Sequence, residues 1–134
     1  MTKEETRVKV LNVFKELRKE GFLARANFLC CQNCAGYDLA HQAEKKFSQN
    51  KEVKGCVYWH KHDEKNYREN GRLFLAYGNL DTQYGKIGLS SNKEVGEIIV
   101  KKLEMYGVEF EWDGDPLNRI LVKSGGKNEI RRSL

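Results

Sequence analysis

The spacing of the apolar residues changes repeatedly between two periods, and this alternation restricts the fold more than any other feature of the chain. Apolar residues near the N-terminus recur at helical spacing: Val10, Leu11, Phe14 and Leu17. Gly21 follows them, as a helix-ending residue does, so we predict a helix over residues 3–20. Apolar residues then alternate with a period of two over residues 22–30, which predicts a strand.

The same two patterns continue to the middle of the chain. A second set of mainly apolar residues steps by four: Cys31, Ala35, Leu39, Ala43 and Phe47. We therefore predict a second helix from about residue 32 to residue 49. Alternation over residues 55–62 predicts a strand, and the short apolar run 72–77 predicts its antiparallel neighbour. Residues 78–90 are predicted to be a loop.

The last third of the chain predicts a helix followed by a hairpin. Ser91 begins a Ser-x-x-Glu capping box, and Gly107 ends the third predicted helix. Two further strands, 108–112 and 119–123, flank the turn Asp113-Gly114-Asp115-Pro116. The predicted order is α-β-α-β-β-α-β-β. It corresponds to an α+β fold of two layers, in which three helices cover a mixed five-stranded sheet.

Length and composition indicate one domain. A chain of 134 residues, 40% of them hydrophobic, is long enough to bury one core. We expect a single α+β domain over residues 1–123 and a mobile basic tail over residues 124–134. Four cysteines are far fewer than a disulfide scaffold needs, and the chain has neither a membrane-spanning apolar run nor an apolar secretory leader. We therefore expect a soluble, cytosolic protein with reduced thiols.

The distribution of charge makes nucleic acid an unexpected partner. The net charge is +5, but the predicted tail carries three basic residues against one acidic residue, a net +2. Elsewhere the two signs alternate as they do on solvated helix faces, without a basic stripe interleaved with aromatic residues. Only weak, salt-sensitive binding through the tail is left as a nucleic-acid hypothesis. We expect no membrane partner, and a protein partner or self-association stays open.

The predicted strand–helix–strand unit brings chemically active side chains together. If its two strands are parallel, the end of the first strand, the start of the second helix and the end of the second strand share one sheet edge. The residues predicted to converge there are Cys30, Cys31, Cys34, His60 and His62. Cys56 is predicted to lie toward the opposite end.

Several segments together resemble a small bacterial domain family of unknown function. They are Gly21–Arg25, Asn27–Cys34, Trp59-His60 with Asp63, Leu73–Gly78, Val95-Gly96 and Glu111–Gly114. The most specific pieces are the Cys-Cys-x-x-Cys block and the Trp-Asp-Gly turn. The resemblance implies a bacterial-type cytosolic protein of one domain and brings no known activity. The family has His-Gln-Gln-Asp where this chain has His60-Lys61-His62-Asp63, which argues against a family-wide role for His62.

The pair Cys31 and Cys34 at a predicted helix N-terminus allows three interpretations. The cysteines could pack in the core as small apolar residues. They could bind a structural zinc ion together with His60 and His62. They could also perform thiol redox chemistry, with Cys31 or Cys34 as a thiolate activated by the helix terminus and by His60.

Our leading functional hypothesis is a non-catalytic binding or regulatory module. No complete set of acid, base and nucleophile can be assembled from the sequence without assuming the fold. The alternatives are a thiol-based redox enzyme, whose candidate catalytic residues are Cys31, Cys34 and His60, and a structural zinc-binding protein.

Overall fold

Residues 2–124 are described by a computed structural model, and they form four helices and seven strands. The helices are α1 (Lys3–Lys19), α2 (Gln32–Ser48), α3 (Lys61–Asn70) and α4 (Asn92–Met105). The strands are β1 (Phe22–Arg25), β2 (Gly55–Tyr58), β3 (Arg72–Gly78), β4 (Leu80–Thr82), β5 (Gly85–Ile87), β6 (Phe110–Glu111) and β7 (Ile120–Lys123).

Five of these strands form one mixed sheet in the order β1-β2-β3-β7-β6. Strands β1 and β2 are parallel, in a register that pairs Phe22 with Gly55 and Arg25 with Tyr58. The pairs β2–β3, β3–β7 and β6–β7 are antiparallel. The predicted mixed five-stranded sheet is confirmed, together with its parallel first pair and its closing hairpin.

Apolar side chains from alternate positions of the strands enter two separate clusters. Phe22 and Ala24 of β1 pack with residues of α1 and α4, whereas Leu23 packs with Leu39 and other residues of α2. Successive side chains of a strand point to opposite faces of its sheet. The sheet is therefore covered on both faces, and the predicted two-layer arrangement is not confirmed.

Helix α3 corrects the prediction of three helices. Residues 61–70 were expected to be the end of a strand and a polar connection, but they form a helix that begins at His60 as its N-cap and ends at Gly71 in the left-handed conformation (φ +74°). The buried residues of this helix are Asp63, Glu64 and Tyr67. Two of the three are acidic, so the buried face does not produce the apolar pattern by which a helix is predicted.

Hydrogen bonds compensate for the burial of those two acidic side chains. Glu64 accepts a hydrogen bond from the Trp59 indole (Nε1–Oε1, 2.9 Å) and one from Arg7 (Nη1–Oε1, 2.5 Å). Asp63 is paired with Arg119, which immediately precedes the last strand. Buried charges are tolerated when they are paired and hydrogen-bonded in this way.

Both strands of the parallel pair end earlier than predicted. Strand β1 ends at Arg25 instead of residue 30, and β2 ends at Tyr58 instead of residue 62. Beyond β1, Asn27 (φ +48°) and Leu29 (φ +59°) are in the left-handed region, which is incompatible with a continuing strand. Cys30 therefore lies in the loop that leads to α2.

The segment 78–90 was predicted to be a loop, but it contains the β4–β5 hairpin. Leu80 and Ile87 pair across this hairpin and are buried in the same cluster as Leu39 of α2. The hairpin is too short for its alternation to be evident in the sequence, and its packing on α2 stabilises it.

The chain is anchored at Ser124, whose backbone N–H donates to the Gly71 carbonyl (3.0 Å). We predicted a mobile basic tail over residues 124–134, and all of it from residue 125 onward lies outside the described residues. The domain boundary therefore stays a prediction. Among residues 2–124, no helix combines the length and the apolar character that a membrane span needs.

Candidate metal centre

The loop between β1 and α2 is held against the connection between β2 and α3. The Phe28 N–H donates to the Trp59 carbonyl (2.8 Å), and the Lys61 N–H donates to the Leu29 carbonyl (3.0 Å). These two bonds continue the β1–β2 contact past the ends of the strands. They position Cys30, the next residue, at the edge of the sheet where the sequence predicted the thiols to lie.

Three cysteine sulfurs meet at this edge. The Sγ atom of Cys30 lies 3.8 Å from that of Cys31 and 3.6 Å from that of Cys34, and all three sulfurs are within 4.8 Å of one another. Cys31 is the N-cap of α2, and Cys34 lies in its first turn. Cys30 and Cys34 are exposed, and Cys31 is half-buried. We call these three residues the thiol cluster.

The thiols of Cys31 and Cys34 differ in acidity, because each is affected by the neighbouring thiols and Cys31 also by the backbone amides at the start of the helix. The backbone amide of Cys34 lowers the pKa of Cys31, and the neighbouring thiols of Cys34 and Cys30 lower it further. The pKa of Cys34 is raised to about 11, chiefly because its thiol is hydrogen-bonded with Cys30 and Cys31. Negative charge on those two sulfurs also disfavours a thiolate at Cys34. In the absence of a cation, Cys31 is therefore more acidic than Cys34.

The sulfur separations match those of a tetrahedral zinc site. A zinc–sulfur bond of about 2.3 Å and tetrahedral angles place neighbouring sulfurs about 3.8 Å apart. The two separations at Cys30 are 3.8 and 3.6 Å. The three side chains could accordingly bind such an ion without a large rearrangement.

The structure places the predicted histidine ligands in other interactions. His60 is the N-cap of α3, where its Nδ1 accepts from the Asp63 N–H (3.4 Å) and its Nε2 lies 3.2 Å from Asp63 Oδ2. Burial lowers the pKa of His60, against the opposing effect of Asp63. The His62 ring contacts that of His60 edge-on, with the centroids 5.9 Å apart. Neither histidine belongs to the metal-competent group found among residues 2–124.

The predicted convergence of Cys30 with Cys31 and Cys34 is found in the structure, but the metal set that we proposed from the sequence omitted Cys30. The sequence did contain a signal, since Cys30 directly precedes Cys31. The period-two alternation predicts Cys30 at the end of a strand, whereas the left-handed conformation of Leu29 places Cys30 in the loop.

The fourth cysteine is separate from the cluster. Cys56 lies near the start of β2, opposite Leu23, and is buried. Burial raises its pKa to about 12. Cys56 thus has the properties of a core residue, at the end of the sheet where the sequence predicted it.

The fold and this edge define a small α+β domain with an exposed group of three thiols. The chain belongs to the family described as "Domain of unknown function (DUF6891)", whose model matches residues 3–125. The resemblance to a domain family of unknown function is thereby confirmed. No curated protein and no solved structure matches the chain.

Proposed function

We propose that this domain is a zinc-binding module with a regulatory or binding role, in which Cys30, Cys31 and Cys34 are the protein ligands. The observation that carries the proposal is the pair of sulfur separations at Cys30, 3.8 and 3.6 Å, which agree with the edges of a tetrahedral zinc site. Thiolates also select zinc among the common divalent ions, because they are soft ligands.

Exposure supports metal binding over core packing for these cysteines. Cys30 and Cys34 are exposed, whereas a cysteine that serves only as a small packing residue is expected to be buried, as Cys56 is. The loop is also held by backbone hydrogen bonds at Phe28 and Leu29, so little conformational entropy remains to be lost when an ion binds.

We further propose a non-catalytic role in a reducing compartment such as the cytosol. His60, which the redox hypothesis gave the role of activating the thiolate, has its ring nitrogens directed to Asp63. This arrangement argues against a thiol–imidazole pair. A reducing compartment would keep the three thiols available as metal ligands.

Zinc titration of the full chain tests the proposal. We expect reduced, metal-free protein to bind one zinc ion per chain and the bound ion to protect three of the four thiols from alkylation. The fourth thiol, Cys56, should react slowly in both states because it is buried. A Cys56→Ser variant is the matched control and should bind zinc like the unmodified chain. Failure to retain zinc, or equal labelling with and without it, would contradict the proposal.

A thiol redox role is a second candidate function, supported by the 3.6 Å separation between the exposed sulfurs of Cys30 and Cys34. Oxidation by hydrogen peroxide would join two thiols in a disulfide, with the loss of two protons and two electrons, and would reduce the hydrogen peroxide to two water molecules. Such a protein should form an internal disulfide reversibly without any metal. A chain that oxidises only to mixtures of intermolecular disulfides would exclude this candidate.

The order of alkylation in the metal-free protein should follow the differences in acidity. We expect limiting iodoacetamide near neutral pH to label Cys31 before Cys34, because the lowered pKa of Cys31 gives more thiolate there, whereas a thiol with a pKa of about 11 stays protonated. The Cys34 label should increase as the pH is raised. Peptide mapping by mass spectrometry measures both, and faster labelling of Cys34 would refute the assigned order.

A further inference from the structure

We propose that a zinc ion in the thiol cluster takes its fourth ligand from outside the chain, as the thiolate of a small thiol compound. This inference rests on the proposed zinc site and adds the chemical class of its external ligand. The arrangement differs from a purely structural zinc site, in which the protein supplies all four ligands.

The first argument is that the other cysteine and histidine side chains of the chain lie outside the group of three sulfurs. The sequence contains four cysteines and three histidines, and all of them lie within residues 2–124. Cys56 is buried in β2, and His41 lies edge-on against Tyr37, with its Nδ1 3.5 Å from Glu44. His60 is directed to Asp63, and His62 contacts His60.

Carboxylates do not complete the site either. Among residues 2–124, the group of potential ligands within 4.8 Å of one another consists of the three cysteines without any aspartate, glutamate or histidine. A tetrahedral ion bound there would therefore have three protein ligands and one further position, as zinc sites that bind a substrate do.

The second argument is access. Two of the three ligand residues, Cys30 and Cys34, are exposed at the surface. Cys31 is only half-buried at the first turn of α2. A small molecule can thus approach an ion at this position without the opening of a lid or a change in the core.

The third argument concerns which ligand the ion would prefer. Three thiolates give a zinc ion a total charge of −1, so this ion polarises water less than one held by neutral imidazoles. A sulfur donor suits such a soft, electron-rich site better than an oxygen donor does. The resulting four-thiolate ion, of charge −2, would lie at the positive N-terminus of α2, which favours negative charge.

The exchange involves no oxidation or reduction. A zinc–oxygen bond to water breaks, a zinc–sulfur bond to the incoming thiol forms, and the thiol proton passes to the buffer. A thiol that coordinates zinc is deprotonated outright, so the bound compound would be held as its nucleophilic thiolate.

Cobalt(II) is the spectroscopic probe for this inference, because it occupies tetrahedral thiolate sites and its sulfur-to-metal absorption reports the number of sulfur ligands. The full chain is loaded with one equivalent of cobalt and titrated with 2-mercaptoethanol. We expect that absorption to increase by about one third, as three sulfur ligands become four. One proton per chain should be released into a weakly buffered solution.

Variants at the histidines provide the matched test. We expect the single substitutions His60→Ala and His62→Ala to leave the cobalt spectrum and its response to 2-mercaptoethanol unchanged. If either substitution alters the spectrum before the thiol is added, an imidazole occupies the fourth position, and the inference is overturned. An unchanged spectrum on thiol addition, or removal of the cobalt by the thiol, would also overturn it.

The outcomes separate this inference from the proposed function. Cobalt that binds with sulfur-to-metal absorption but does not respond to the thiol refutes only the external ligand and leaves the metal site standing. Absence of sulfur-to-metal absorption at one equivalent of cobalt refutes the metal site itself, and the external ligand with it.

Discussion

Replacing Cys30 by serine should lower the zinc affinity of the chain by more than about 100-fold, since loss of a residue that merely supports a ligand already costs 10- to 100-fold. The Cys30 sulfur lies 3.8 and 3.6 Å from the other two sulfurs, and its loss leaves only Cys31 and Cys34 as thiolate ligands. A serine hydroxyl is a hard ligand that stays protonated, and it does not replace a thiolate. Competition with a chromophoric chelator measures the change.

This substitution also distinguishes the ligand set proposed from the structure from the set predicted by the sequence. With Cys30, Cys31 and Cys34 as ligands, Cys30→Ser releases zinc and His60→Ala does not. With Cys31, Cys34, His60 and His62 as ligands, the two results are reversed. Cys56→Ser, a change of the same chemistry at a buried position, controls for effects of serine on folding.

The substitution Asp63→Ala should destabilise the domain by about 3 kcal/mol, the lower end of the cost of breaking a buried ion pair. Asp63 is buried and accepts two hydrogen bonds from Arg119, at Oδ1 (3.1 Å) and Oδ2 (2.7 Å). It also accepts the His60 backbone N–H (3.2 Å) at the start of α3. We choose the lower end of this range because the Arg119 side chain is 29% exposed and also donates to the Phe74 carbonyl.

Urea unfolding, followed through the intrinsic tryptophan fluorescence, measures this loss as a lower midpoint. Asp81→Ala is the matched control, because Asp81 is exposed on β4, and it should change the stability by less than about 0.5 kcal/mol. If both variants unfold at the same urea concentration, the Asp63–Arg119 pair does not stabilise the domain as argued.

The elements that the sequence predicted correctly are those in which burial and hydrophobicity coincide. Helix α1 buries Val10, Phe14 and Leu17, three of the four apolar residues from which it was predicted. The parallel pairing of β1 and β2 followed from the helix between them. Such elements can be predicted from one segment of sequence at a time, because the hydrophobicity of each residue matches its burial in the structure.

Helix α3 was missed because its stability depends on residues far away in the chain. Its buried Glu64 is paired with Arg7 from the first helix, and its buried Asp63 is paired with Arg119, which immediately precedes the last strand. When the ion-pair partners are unknown, the polar pattern of this segment predicts a connecting loop. Only the assembled fold brings those partners within hydrogen-bonding distance.

The sequence by itself determined that the thiols meet at one edge of the sheet, since two parallel strands and the helix between them place Cys31 and Cys34 there. Which side chains join them was decided by the tertiary structure. The left-handed backbone at Leu29 brings Cys30 to the other sulfurs, and the start of α3 engages His60 with Asp63. Both effects arise from backbone geometry and capping at the ends of elements, where the periodicity of side chains carries no information.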